Sequence, residues 1–204
     1  MTSEPVLDPV NDHLLTPRNS ALVVIDYQPS QLQAMSSMDR DLLLDNIVSV
    51  ARLARTFDLP VVLSTVNVAS GQGHTLPELK AALPDTVEID RTTMNAWEDI
   101  EFRRAVEATG RRKLIMTALW TEICLAFPTL DALRDGFEVY PVVDAVGGTS
   151  LEAHRAGLER IVRAGAQPVS WVGLAGELQR DWARVGTVGE VVDIVLTTRL
   201  LASA

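Results

Sequence analysis

The chain has 204 residues, 47% hydrophobic and 22% charged, the size and composition of one ordinary globular domain, which excludes disordered, collagen-like and solenoid architectures. A formal charge of −9 with no basic stripe argues against nucleic-acid binding. Apolar runs far short of the ~20 residues of a membrane helix argue against a spanning segment, and a lone cysteine with no visible secretion signal points to a reducing cytoplasm.

Residues 1–19 read as an N-terminal arm. Ala21 to Ile25 is a short apolar run ending at Asp26 and predicts a buried strand. From Asp39, apolar residues at Leu43, Ile47, Val50, Ala51, Ala54 and Phe57 keep helical spacing behind an acidic first turn. Pro60 opens a second β run, Val61 to Val66. A glycine-containing loop, Asn67 to Thr75, leads to a short helix around Leu76 to Leu83, and Val87 to Asp90 predicts a third strand. Helix is expected over Glu98 to Thr109, stopped by Gly110, and strand over Leu114 to Leu119. The next helix carries Ile123, Phe127, Leu130 and Leu133 on one stripe, with Gly136 at its C-terminal cap. Val139 to Val143 is a fifth strand. Thr149 and Glu152 have capping-box spacing for a helix running to Arg163, Pro168 to Val172 is a sixth strand, and helix is expected for the remainder.

Strands alternating with helices mean an α/β fold: a three-layer αβα domain with a doubly wound, six-stranded parallel sheet. That domain spans 20–172, and 173–204 forms a C-terminal helical extension of it, suited to assembly. Open parallel sheets bind ligands outside the carboxyl ends of their strands, where the strand order reverses. The rule selects Asp26 after strand one, Arg91 after strand three, Thr121 to Cys124 after strand four, and Asp144 after strand five. With the order 3-2-1-4-5-6, Asp26 and Cys124 face each other across the crevice.

Cys124 falls in the first turn of a helix whose expected N-cap is Thr121, a position that lowers a thiol pKa and suits a nucleophile. Pro128 has no N–H to offer the Cys124 carbonyl, so this turn is expected to be irregular. A lone cysteine is equally often a small buried hydrophobe, and both readings stand on the residues alone. Asp26 is open in the same way between loop cap and base. His154 shares a stripe with Leu151 and Leu158 and reads as a packed residue, while His74 and His13 lie in a loop and in the arm. No G-x-G-x-x-G follows the first strand, and neither G-x-x-x-x-G-K-[ST] nor G-x-S-x-G occurs. Zinc-ligand spacing is missing too, so no cofactor or metal is expected.

Three separated segments, VVIDYQ (Val23 to Gln28), TEICLAFPTLDAL (Thr121 to Leu133) and GFEVYPVVDA (Gly136 to Ala145), resemble the isochorismatase-like cysteine hydrolases. NAWED, TEICLAFP and ELQRDW (Glu177 to Trp182) are most similar to its YcaC-related branch. The resemblance implies the 3-2-1-4-5-6 sheet and a catalytic triad of aspartate, basic residue and cysteine. The first and last fall on Asp26 and Cys124. The basic residue, usually lysine, precedes a triplet that is Asn95-Ala96-Trp97 here, which puts Arg91 in its place. Arginine can hold Asp26 but cannot shuttle a proton, so deprotonation of Cys124 falls to Asp26. The family also has a non-proline cis peptide before the T-E-x-C turn, expected here at Trp120–Thr121, implying an oxyanion hole from the N–H groups of Thr121 and Cys124. The metal-binding D-x-H pattern of the nicotinamidase members is missing. The resemblance thus implies hydrolysis of a small amide or related acyl substrate by a homo-oligomer, without cofactor, metal, nucleic acid or membrane as partner. A silent assembly or ligand-binding protein is the alternative.

Overall fold

A computed structural model describes residues 8–197. Among them are five parallel strands, β1 (Ser20–Ile25), β2 (Val61–Val66), β3 (Glu88–Arg91), β4 (Lys113–Ala118) and β5 (Glu138–Pro141), in the order β3-β2-β1-β4-β5. Every residue of β1 and β4 is buried, as expected of central strands covered on both faces. Side-chain alternation sorts the core into two halves. Leu22, Val24, Leu63 and Ile115 face α2 (Arg40–Thr56), α3 (Pro77–Ala82), α7 (Trp171–Gln179) and α8 (Val185–Thr197). Ala21, Val23, Ile25, Leu114 and Met116 face α4 (Ile100–Ala108), α5 (Ala126–Arg134) and α6 (Leu151–Arg163). A short α1 (Pro29–Ala34) follows β1. The three-layer architecture is therefore as expected from the alternating pattern.

The sixth strand is reduced to one bridge, Val142 with Val169. Gln167 and Val169 both donate to β5, at 2.9 Å to the Val139 carbonyl and 3.0 Å to the Pro141 carbonyl. A parallel ladder also needs the N–H of residue 141 to return a bond to Gln167, and Pro141 has none. The segment follows β5 without completing a strand. The cap of α6 also differs from expectation. Ser150, one residue later than Thr149, accepts from the Ala153 N–H at 3.0 Å, while Thr149 turns to Glu122.

The ends of the chain are built into the core. Leu15 of the arm is fully buried, and Lys113 Nζ, itself buried, donates to the carbonyls of Asp12, His13 and Leu14 at 2.9, 2.6 and 3.3 Å. Trp171, Leu174, Leu178, Val191 and Ile194 join the same core half as Leu22 and Leu63, so α7 and α8 complete a layer rather than hang from it. Residues 1–7 of the arm and 198–204 of the extension lie outside the described residues. Among the described residues, no helix is long and apolar enough to cross a membrane.

Candidate active site

The parallel register brings three strand ends level. Ile25 pairs with both Ser64 and Ala118, and Val66 pairs with Arg91. Asp26 follows β1 in a left-handed conformation, φ 61°, a region that aspartate tolerates better than most residues. Its N–H is held by the Ser64 carbonyl at 2.9 Å, and its carbonyl accepts from Gln28 N–H at 2.8 Å. This bend turns the carboxylate over the end of the sheet.

Arg91, the last residue of β3, meets it there. Nη1 donates to Oδ1 at 2.7 Å and Nη2 to Oδ2 at 2.8 Å, an end-on fork between two side chains that are both 0% exposed. Nη1 also reaches Ser64 Oγ at 3.1 Å and the Thr65 carbonyl at 3.0 Å. Burial alone would pull this guanidinium down, but the bonds and charge of Asp26 outweigh it and hold it above its ordinary value. Arg91 faces Asp26 rather than solvent, and Asn95, capping the 3-10 turn Ala96–Glu98, ties the following loop to Asp131 at 2.7 Å.

Cys124 sits in Thr121–Leu125, which winds as a single π turn before α5. Leu125 N–H returns to the Trp120 carbonyl at 3.1 Å, five residues back. The irregularity expected from Pro128 is present, in a form that shifts the start of the turn. Trp120 occupies the cap position, without a side-chain capping bond, where Thr121 was expected. The thiol lies near enough to Asp26 and Arg91 for both to act on its titration. It is not the exposed, acidified thiol that a helix N-terminus suggests: Cys124 is 7% exposed, and burial pushes its pKa strongly up. The charge and hydrogen bond of Asp26 add to this, and the Trp120 N–H and Arg91 only partly offset it.

The oxyanion assignment changes as well. The non-proline cis bond is Leu119–Trp120, one residue earlier than expected. The Thr121 N–H is taken by the Gly147 carbonyl at 2.9 Å and is not available to a substrate, whereas the Trp120 N–H is near enough to the Cys124 sulfur to favour its thiolate. A cavity of about 870 Å³ lined by Ala54, Val62, Leu83, Ile89 and Ala105 opens on the β2–β3 edge and touches none of Asp26, Arg91 or Cys124.

The model of the isochorismatase domain matches residues 20–172, about three quarters of the chain, a span that includes Asp26, Arg91 and Cys124. The chain belongs to the isochorismatase family. Within that family it is 38% identical to the probable hydrolase YcaC of Escherichia coli over 169 residues, covering 82% of this chain and 81% of that protein. The crystal structure of E. coli YcaC, described as an octameric hydrolase of unknown specificity, superposes with a TM-score of 0.81 at 31% identity, covering 98% of this chain and 100% of that one. YcaC from Pseudomonas aeruginosa, solved with hexane-2,5-diol and covalent acrylamide, gives 0.81 at 32% identity over 91% and 96% of the two chains.

Several residues around this isochorismatase-family site escape sequence reasoning. His154, read as a packed residue, is half-buried and places Nδ1 2.8 Å from Thr121 Oγ1; burial lowers its pKa, with Glu122 opposing and Arg155 adding. Glu122 Oε1 accepts from the Thr149 N–H at 3.0 Å and from its hydroxyl at 2.6 Å, fastening the π turn to the loop before α6. Gly157 lets α6 lie directly on that turn: a Cβ there would stand 2.9 Å from Glu122 Cα and 3.1 Å from the Thr121 carbonyl carbon. Gly148 marks the same close approach, since a Cβ there would stand 2.6 Å from Glu122 Oε2.

Proposed function

We propose that this isochorismatase-family chain is a cysteine hydrolase acting on a small amide or related acyl substrate. One observation carries the reading: beside the Cys124 thiol stands a carboxylate, Asp26, whose two oxygens are gripped end-on by Arg91. A carboxylate has about four lone-pair positions, so the two engaged by the guanidinium leave one for the thiol proton. Asp26 is then the general base and Cys124 the nucleophile, while Arg91 holds the base in place and orients it.

In the proposed cycle the thiol proton passes to Asp26 as sulfur bonds to the acyl carbon and the carbonyl electrons move onto oxygen. The N–H groups of Trp120 and Cys124 receive that oxyanion, Trp120 replacing Thr121 in this role. Collapse expels the leaving group, which takes the proton from Asp26. Water then attacks the thioester, giving its proton to Asp26, and the released thiol recovers it. A thiol held protonated at rest suits this sequence, because proton transfer and attack occur together and no reactive thiolate stands unguarded.

The family match supports a hydrolase, and the P. aeruginosa relative, which carries covalent acrylamide, supports a small amide as ligand. The octameric E. coli relative supports homo-oligomerisation. A silent ligand-binding assembly on the same fold draws its own support from the burial of Cys124. A panel of small amides and thioesters separates the two. Turnover with an acyl adduct trapped on wild type, absent in Cys124→Ser and slowed in Asp26→Asn, is the expected result. No turnover and no adduct across the panel would leave the silent reading.

A further inference from the structure

Beyond the matched domain, the extension carries an apolar surface on a backbone that is firmly held. Trp182, in the turn between α7 and α8, is 77% exposed, and Val185, which opens α8, is 84% exposed. Gln179, buried beneath the turn, braces it from inside. Its Nε2 donates to the carbonyls of Asp181 at 2.8 Å and Arg184 at 3.3 Å, and its Oε1 accepts from Thr187 Oγ1 at 2.6 Å. Arg184 Nη1 returns a bond to the Gln179 carbonyl at 3.2 Å, and the Ala183 N–H donates to Asp181 Oδ1 at 2.8 Å. Arg180, left-handed at φ 59°, anchors the turn to the arm through Asp12 Oδ2 at 2.7 Å. These bonds fix the chain on both sides of Trp182 and leave its indole in water. A large aromatic side chain on a preorganised backbone gives up little freedom when covered, which is why tryptophan dominates the energetics of many interfaces.

We propose that the turn from Trp182 to Val185 is a contact surface whose partner is a second copy of this chain. The inference rests on the homo-oligomer reading above and names the surface for it. The octameric E. coli structure aligns over 98% of this chain, while the family domain ends at residue 172, so the extension is common to this chain and to that octamer. Charge agrees with self-contact. The chain carries −9 overall, yet from Trp182 to Gly189 the one charged residue is Arg184. Two acidic copies can meet there without bringing carboxylates together.

The test uses the full chain, as wild type, Trp182→Glu and Trp182→Phe. Sedimentation velocity at one protein concentration should give wild type as a multiple of 22.2 kDa and Trp182→Glu as a smaller species with unchanged far-UV circular dichroism. Iodide quenching adds a measurement independent of the charge insertion. Trp97 and Trp171 are buried, Trp120 is partly buried, and all three are common to both proteins, so the emission lost between wild type and Trp182→Phe reports residue 182. That component should resist iodide in assembled wild type. A Trp182→Glu variant that assembles like wild type, or a freely quenched Trp182 in the assembly, would overturn this surface and leave the homo-oligomer reading standing. A monomeric wild type would overturn both.

Discussion

Gly157 is where packing and chemistry can be separated by one methyl group. Its Cβ would stand 2.9 Å from Glu122 Cα, 3.0 Å from Glu122 N and 3.1 Å from the Thr121 carbonyl carbon, all backbone atoms of the turn that carries Cys124. Non-bonded carbons rest at about 3.5–4.0 Å, so in Gly157→Ala either α6 or the π turn must move by roughly 0.5–1 Å. Alanine inside a helix ordinarily gains ~1 kcal/mol over glycine, while overpacking costs ~1–3 kcal/mol. The expected net effect is a loss of up to about 2 kcal/mol. Gly176 of α7 supplies the control, since an added Cβ there meets nothing within 4 Å and Gly176→Ala should gain about 0.5–1 kcal/mol. Thermal midpoints at matched protein concentration should therefore move in opposite directions, by roughly 2–4 °C per kcal/mol for a domain of this size. A misplacement near 1 Å can cost ~10²-fold in rate, so alkylation of Cys124 by chloroacetamide should slow at least several-fold in Gly157→Ala and stay unchanged in Gly176→Ala. If Gly157→Ala is as stabilising as Gly176→Ala and as reactive as wild type, the tight seat of the turn on α6 has no bearing on the Cys124 thiol.

Removing one partner of the fully buried Arg91–Asp26 pair should cost about 3–5 kcal/mol; Arg91→Met is expected to lower the denaturant midpoint accordingly, and Arg91→Met combined with Asp26→Asn to recover part of the loss. Because the folded Cys124 pKa lies above its ordinary 9.0, the native thiol stays protonated where the unfolded one ionises. The stability this gives is complete below pH 9.0 and declines as pH rises above it, so wild type should lose thermal midpoint more steeply than Cys124→Ala in that range. Iodoacetamide labelling of the native protein should likewise keep accelerating past pH 9.0, whereas a plateau near neutrality would refute the protonated resting state. Lys113→Met leaves the carbonyls of Asp12, His13 and Leu14 without their shared donor. A loss of ~1–3 kcal/mol and faster proteolysis within the arm are expected.

The sheet was legible because its signals are local. Apolar runs such as Ala21 to Ile25 and helical spacing such as Leu43 to Ala54 hold in any context. Pro141 shows the limit: the segment after α6 has a strand's composition, yet the donor missing from its neighbour decides whether a ladder closes. At the site, strand ends located Asp26, Arg91 and Cys124, but spacing carried no information on which N–H was already engaged. Thr121 therefore looked like an oxyanion donor until its bond to Gly147 was seen, and Trp120 was passed over. The thiol failed differently. The helix N-terminus argument counts partial charge and omits desolvation, which is the larger effect at a cysteine 7% exposed. His154 and Glu122 were invisible because the contact they serve joins two helices distant in sequence.

Arg91 belongs to the four-residue edge strand β3, paired on one side only, while Asp26 and Cys124 follow β1 and β4 in the middle of the sheet. Edge strands open at lower free energy than central ones. Fraying of β3 would withdraw the cation and leave carboxylate and thiol still together, and a folded but disarmed form is the expected step before unfolding. The free energy that holds the three groups together is then smaller than the one that protects the fold. In rising urea, inactivation should run ahead of the loss of circular dichroism, with the amides of Glu88 to Arg91 exchanging in step with activity rather than with the core.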